Sequence, residues 1–509
     1  MNHSRFHIAA LWSVSLWPGL NFLHSNWPDV LRGGWQSVWS VIAFVVGVAL
    51  SAHLLYRLLR QRGGYLVLAW VAAVGMFFGY LAVREFFLSL FAWLNPHIPP
   101  GFGWLGCFAL ILLGAYRWRK SDHLRIAATT FSLVAGAAAA SMLLITMAIT
   151  PSVASDAVVP AAPRRQAPSR PVNVYYVILD AYGGRHAMQT LDFDNSPFLA
   201  KMRARGFREL STDRSNYLKT AQTLGAIFSL DYTFTADTAS GIDLRLMYPT
   251  MFDHAQPPAL IAALEGDGYD VWFSDTVIIG CPLHHVSCLR KTRVVDSSYM
   301  LQTFLATTPI GRLLLRWLDD RRDAISPLVD RLDTLVASSR PIFMFAHHLS
   351  PHPPFTLDAS CKPRMSWESG MGVPTQNDRE GYLEALRCVN RRVEVLVDRI
   401  IARDAGAIIV IQGDHGPGLK IRWDAPMNTW TEAEISERAS YLNLVRAPVA
   451  CAPALDHAMA QVNTARFVLS CIEGRPPEYL PERTFLSTYD TGPERDRVRE
   501  WHPATAVAP

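Results

Sequence analysis

Apolar residues follow two different patterns along this chain of 509 residues. Residues 1–150 carry long apolar runs, read as five helical spans at about 8–24, 36–56, 65–83, 102–117 and 126–149. Each is close to the ~20 residues a helix needs to cross a bilayer. Pro18 interrupts the first run, and a cleavable leader is the competing reading there. That run lacks a small-x-small cleavage site and is followed by further spans, so a leader is disfavoured. Residues 151–171, "PSVASDAVVPAAPRRQAPSRP", are rich in Pro, Ala and Ser and read as a linker. From residue 172 the period changes. "VNVYYVILD", "DVWFSD", "IFMFAHH" and "AIIVIQGD" are short continuous apolar runs, as expected of strands buried on both faces. Helical patterns separate them: "SPFLAKMRARG", "PALIAALEGDG", the region 310–338 and "REGYLEALRCVNRRVEVLVDRIIARD". The pattern predicts an N-terminal helical membrane domain of about five spans (1–150), the linker, and an extracytoplasmic α/β domain (172–509). Strand and helix alternate in the last as in a doubly wound, mostly parallel sheet.

Charge gives this plan an orientation. The loop after the second run, "YRLLRQRGG", holds Arg57, Arg60 and Arg62. The loop after the fourth, "RWRKSDHLR", holds Arg117, Arg119, Lys120 and Arg125. Basic loops stay on the cytoplasmic side. Both loops therefore predict a multi-pass inner (plasma) membrane protein with its N-terminus inside and the α/β domain outside, in the periplasm. Arg84 and Glu85 are expected to pair at the end of the third span, with "FFLSLFAWL" lying along the outer interface. Overall, 50% of residues are hydrophobic, 18% are charged and the net charge is +4. Without a concentrated basic face, no nucleic-acid partner is expected. The partners expected are the lipid bilayer and an envelope substrate.

Of seven cysteines, Cys107 lies in an apolar run. Cys281, Cys288, Cys361, Cys388, Cys451 and Cys471 fall in the exported domain, where three disulfides can form, Cys281–Cys288 being the plausible local pair. No CxxC pair suggests structural zinc.

Three strand ends carry the chemistry. "ILDAYGG" places Asp180 after the first strand, "FAHHLSPHPPF" brings His347, His348 and His352, and "IQGDHGPG" brings Asp414 and His415. Ligand sites form past the carboxyl ends of parallel strands. Carboxylates and imidazoles gathered there suit a divalent metal. Singly, each residue reads as well as a turn, cap or core residue. Between the first two clusters lies "SNYLKTAQTLGAIFSLDYT", whose Thr220 or Thr223 could open a helix that favours an anionic ester. Thr220 reads equally as an N-cap.

The order of these segments, with the later "ERASYLNLVRAP", resembles the sulfatase-like branch of the alkaline phosphatase superfamily over nearly all of 172–485. Membrane-anchored relatives with this plan include lipoteichoic acid synthases and phosphoethanolamine transferases. The resemblance implies Asp180, Thr220, Asp414 and His415 as ligands of one divalent metal: zinc, manganese or magnesium, with calcium behind them. It implies Thr220 as nucleophile and His352 as the group facing the transferred group or leaving oxygen. His347, Asn216 and Arg438 are further substrate contacts. Formylglycine sulfatases need Cys or Ser, then Pro and Arg, at the nucleophile. Here Thr220 is followed by Ala221, Gln222, Thr223 and Leu224. Where relatives pair aspartates, Asp180 is followed by Ala181. The departures favour phosphoryl transfer on envelope lipid or glycan through a covalent threonine intermediate. A sulfate-ester hydrolase and a catalytically inactive, membrane-tethered binding module are the alternatives. Loops 275–300 and 356–380 are expected to set specificity.

Overall fold

The computed structural model describes residues 3–27, 30, 38–59, 63–80, 83, 86–87, 90, 100–118, 120–149, 171–212, 214–235, 246–248, 250–252, 256–274, 276, 285–289, 300–301, 304–305, 308–309, 322–353, 355–362, 378–422, 425–455, 459–487 and 498–502. Two compact units emerge. One holds Met1–Ala154, Val295–Leu318 and Met365–Val373, and the other holds Ser155–Val294, Asp319–Arg364 and Pro374–Pro509.

Among the described residues, the first unit holds the helices α1 (His3–Ser25), α2 (Trp39–Leu58), α3 (Gly63–Phe78), α4 (Pro100–Arg117) and α5 (Asp122–Ile149). They coincide with the five apolar runs. By length and composition, Trp39–Leu58 and Asp122–Ala148 can cross a membrane, while Tyr65–Phe78 and Gly103–Arg117 are shorter apolar helices. α1 packs against α2, α3 and α5. Polar groups between these helices find partners, as apolar surroundings require. Trp12 Nε1 donates to His53 Nδ1 (3.2 Å) and Trp70 Nε1 donates to Ser15 Oγ (2.9 Å). Phe304, from Val295–Leu318, belongs to this unit. Its ring is buried, stacks on Phe78 (centroids 5.1 Å apart) and packs against Phe22 (5.2 Å) and Phe44 (6.1 Å). The sequence had placed that stretch inside the α/β domain; its aromatic packing explains why it falls here. Arg84, Glu85, most of "FFLSLFAWL" and residues 151–170 lie outside the described residues.

In the second unit the strands are β1 (Val174–Leu179), β2 (Arg208–Glu209), β3 (Asp270–Ser274), β4 (Ser287–Cys288), β5 (Ile342–His348), β6 (Ile408–Gly413) and β7 (Asn443–Arg446). They form one sheet in the order β2-β7-β6-β1-β5-β3-β4. A short pair, β8 (Thr484–Leu486) and β9 (Arg499–Trp501), stands apart. β4, β3, β5, β1 and β6 run parallel, and β7 and β2 pair antiparallel at one edge, so the sheet is mixed. The four expected strands are all present. The helices are α6 (Arg185–Thr190), α7 (Ser196–Ala204), α8 (Thr220–Ser229), α9 (Ala259–Gly266), α10 (Ile325–Val336), α11 (Arg379–Arg403), α12 (Glu432–Ala439) and α13 (Gln461–Glu473).

Strand β1 is buried throughout because both of its faces are covered. Tyr175, Val177 and Leu179 pack into one core with residues of α7, α10 and α11. Val174, Tyr176 and Ile178 pack into another with residues of α8, α9 and α13. This two-sided covering is why the strands read as unbroken apolar runs rather than alternating ones. Caps set the helix starts. Asp378 accepts from Gly381 N (2.8 Å) ahead of α11, and Thr431 and Glu434 form a reciprocal capping box on α12.

Disulfides join Cys361 to Cys388 and Cys451 to Cys471. Cys288 is also disulfide-bonded, while Cys281, its expected partner, lies outside the described residues. Cys107 is free.

Candidate active site

Strand register assembles the site. Leu179 lies opposite both His348 of β5 and Gly413 of β6, so the three central strands end at one level. The next residues outward, Asp180 and Asp414, therefore meet at the sheet edge. β5 and β6 flank β1 on opposite sides, so the connection through α11 crosses it, and in parallel sheets the carboxyl ends of such strands are where ligands bind.

The backbone around these two carboxylates is tightly fixed. Asp180 N donates to His348 O (2.9 Å). Asp414 Oδ1 accepts from Ala181 N and from its neighbour His415 N, both at 2.9 Å. Ala181 has φ +63°, a conformation that costs a non-glycine residue ~1 kcal/mol or more. The bond to Asp414 holds it there, with a second from Tyr382 Oη to its carbonyl (3.0 Å). A Cβ at Gly416 would run into the carbonyl oxygens of Glu437 and Ser440, which explains glycine after Asp414-His415. Below, Tyr176 Oη donates to Gln412 Oε1 (2.9 Å) and Gln412 Nε2 to Thr464 Oγ1 (3.0 Å), fixing the end of β6.

His415 is the hub. Its Nδ1–H donates to Gly416 O (3.0 Å), which leaves Nε2 as a lone pair. Around that atom stand Thr220 Oγ1 at 3.1 Å, Asp414 Oδ2 at 3.1 Å, Asp180 Oδ1 at 3.8 Å and Arg438 Nη2 at 2.8 Å. Asp180 Oδ1 and Asp414 Oδ2 are buried and accept no hydrogen bond. The 3.1 Å between Asp414 Oδ2 and His415 Nε2 brings two lone pairs together, because the ring proton sits on Nδ1. Two orphaned carboxylate oxygens and an unprotonated imidazole nitrogen, all buried, form a donor set that a cation satisfies. Asp180, Asp414 and His415 bring ligand atoms within 4.8 Å of one another and can hold a metal ion. Thr220 opens α8, so its hydroxyl stands at the helix N-terminus.

Electrostatics separates these groups. Burial alone would raise Asp180, but His352, His347 and His415 outweigh it and hold the carboxyl well below the usual carboxylate range. Burial, then the charge of Asp180, pushes Asp414 up to about 7. Burial, then Arg438, drives His415 well below the ordinary imidazole value, which keeps it neutral. Burial lowers His352 too, against an opposing pull from Asp180. These effects place His352 within electrostatic reach of Asp180 and His415.

The family model for sulfatases matches residues 173–434, a span that takes in β1, Thr220, His352, Asp414 and His415. The chain belongs to the sulfatase family. Within this sulfatase fold, solved structures with some likeness include the C-terminal periplasmic domain of EcEptC from Escherichia coli. It is 11% identical, with 65% of this chain and 93% of that one covered at a TM-score of 0.40. The phosphonate monoester hydrolase SpPMH from Silicibacter pomeroyi is 12% identical (62% and 79% covered, TM-score 0.41). The lipoteichoic acid synthase LtaP from Listeria monocytogenes is 12% identical (63% and 78%, TM-score 0.34). Among curated proteins, none matches the chain.

The strand ends and the start of α8 bring together Asp180, Thr220, Asp414, His415 and Arg438, with His347 Nε2 at 3.4 Å from Asp180 Oδ2. Both ring nitrogens of buried His347 are without hydrogen-bond partners. Asn216 is placed differently. Its Oδ1 accepts from Val462 N (2.9 Å) and its Nδ2 reaches Tyr232 Oη (3.3 Å), so its amide ties α13 to the loop ahead of Thr220. Gln461 was missed: its Nε2 donates to Asp414 O (2.9 Å) and its Oε1 accepts from Asn216 N (3.0 Å). Arg438 also clamps Leu218 O, Gly416 O and Pro417 O. Thr220 and His352 are only half-buried, whereas Asp180, Asp414 and His415 are closed off from solvent.

Proposed function

We propose that the chain transfers phosphoryl groups on an envelope lipid or glycan by a two-step route through Thr220. The observation that carries this reading is the Thr220 hydroxyl, 3.1 Å from His415 Nε2 at the start of α8. Threonine cannot become formylglycine, so the hydroxyl itself is the nucleophile. Asp180, Asp414, His415 and Thr220 would hold one divalent ion, with zinc, manganese and magnesium all suited to the ligand set. When bound, that ion supplies positive charge that lowers the hydroxyl pKa and offsets charge on the ester.

The chain's own residues do the rest. Thr220 Oγ1 releases its proton to solvent and attacks phosphorus, and the bond from phosphorus to the leaving oxygen breaks. His352, as the imidazolium formed beside the anionic ester, gives that oxygen its Nε2 proton and keeps its Nδ1–H on Pro353 O (2.7 Å). An anionic ester nearby raises His352 again, supporting that role. Water or an acceptor alcohol then attacks the phosphothreonine, and Oγ1 regains a proton. His347 and Arg438 carry positive or polar edges toward the ester oxygens.

Matched p-nitrophenyl phosphodiester, phosphomonoester and sulfate esters, assayed with the full-length protein, test the reading. At least tenfold preference for a phosphate ester is expected. A preference for sulfate overturns the phosphoryl reading, and stoichiometric metal with no turnover of any ester favours a binding module.

The membrane topology is part of the proposal: five spans, N-terminus inside, α/β unit in the periplasm. It is supported by two apolar helices of spanning length and by the two basic loops. A membrane-impermeant thiol reagent on intact cells should label Ala154→Cys and spare Gln61→Cys. Labelling of Gln61→Cys instead rejects the orientation.

A further inference from the structure

One side chain outside the ligand set is bonded to the loop that carries His352. Arg322, just ahead of α10, sends Nη1 to Pro353 O (3.2 Å) and Nη2 to both Leu349 O and His352 O (2.5 Å each). The contact is reciprocal, because Leu349 N donates to Arg322 O (3.0 Å). Three backbone carbonyls of one turn therefore point at a single guanidinium. The Pro353 carbonyl is shared: it also accepts His352 Nδ1–H at 2.7 Å. That last bond decides which ring nitrogen keeps its lone pair and which way the ring faces.

Arg322 is itself held rigidly from the next residue. Asp323 Oδ1 accepts from Ile325 N (2.9 Å) and Ser326 N (3.1 Å), capping the first turn of α10, and Asp323 Oδ2 pairs with Arg392 (3.2 Å). His348 Nδ1 lies 3.3 Å from Asp323 Oδ1, tying the same corner to the end of β5.

We propose that Arg322 is a positioning residue for His352, fixing the ring and its tautomer through the Pro353 carbonyl that both side chains share. This rests on His352 acting at the leaving oxygen, as argued above. Only a planar fork with several N–H donors serves three carbonyls at once; a lysine ammonium has neither the reach nor the geometry. A guanidinium on the shared carbonyl also withdraws electron density from it, which tunes how firmly it holds Nδ1–H. Misplacing a reacting group by about 1 Å costs on the order of a hundredfold in rate.

The test is a double-mutant cycle in full-length protein, read with a p-nitrophenyl phosphodiester. Arg322→Lys is expected to lower kcat about 10- to 100-fold with KM within about twofold, since the contact serves the proton-transfer step rather than ester binding. In a His352→Ala background the same change should alter kcat less than about twofold, because the residue it positions is gone. Equal losses in both backgrounds, or no loss in the first, overturn the proposal. Arg322→Gln, which retains an uncharged N–H pair, replaces the lysine variant if that fails to accumulate. Failure of both assigns Arg322 a purely structural role and also overturns it. The phosphoryl reading fails separately. If wild type turns over only the aryl sulfate, the cycle is run on that ester and still reports on Arg322; no turnover of either ester overturns both.

Discussion

Thr220→Ala is expected to abolish turnover and the proposed phosphothreonine together, while leaving a folded protein that still takes up metal. Alanine is a good helix residue, and the side chain is half-buried at the first position of α8, so the fold loses little. Its hydrogen bond to His415 Nε2 is worth ~1 kcal/mol. Catalysis loses far more. Without a nucleophile, the rate falls by at least about a thousandfold, or ~4 kcal/mol of barrier. Thr220→Ser keeps a hydroxyl in place and retains measurable activity. Intact-mass analysis after rapid quench should show one added phosphoryl group on wild type, held at Thr220, and none on Thr220→Ala. A phosphoenzyme that survives in the alanine variant ends the nucleophile assignment.

The second large effect concerns the cation. Asp414→Asn keeps an Oδ1 able to accept from Ala181 N and His415 N, so the turn after β6 persists. It removes one of two neighbouring buried carboxylate charges. Wild type should hold about one divalent ion per chain and gain thermal stability from it, ~2.7 kcal/mol when free ion exceeds Kd a hundredfold. In Asp414→Asn that gain disappears and activity falls at least about a thousandfold. In the presence of a strong chelator the ranking reverses or levels. The variant is then at least as stable as wild type, because the burial of charge, and then the repulsion from Asp180, that push Asp414 up to about 7 are gone. Thermal melts with and without chelator, beside metal analysis, read both signs. A variant that melts lower under chelation shows that Asp414 is a scaffold group rather than a ligand.

Legibility in the sequence tracked how local each signal is. β1, β3, β5 and β6 were readable because strands covered on both faces are unbroken apolar runs. Asp180, Asp414 and His415 were readable because they follow those strands immediately. β2 and β7 were not: at two and four residues they carry no period, and only pairing, β7 on β6 and β2 on β7, makes them strands. Gln461 and Arg322 were invisible for another reason. Each acts on backbone carbonyls of a segment distant in sequence, and no residue pattern encodes which carbonyl a side chain will find. Asn216 shows the converse. Its place four positions before Thr220 suggests a substrate role, while the bond its amide makes to Val462 N, 246 residues on, has no trace in the pattern. Much of the expected specificity loops, 275–300 and 356–380, together with Cys281, lies outside the described residues.

The seat of Phe304 bears on how the catalytic half can be handled at the bench. A protein trimmed at residue 171 would leave behind Phe22, Phe44 and Phe78, the rings that now cover Phe304. It would enter water with Met300, Phe304 and Leu305, all buried in the full chain, uncovered. Uncovered apolar clusters of that kind draw molecules together, so a soluble version of the α/β unit calls for excision or polar replacement of 295–318. Removing the N-terminal helices alone is not enough.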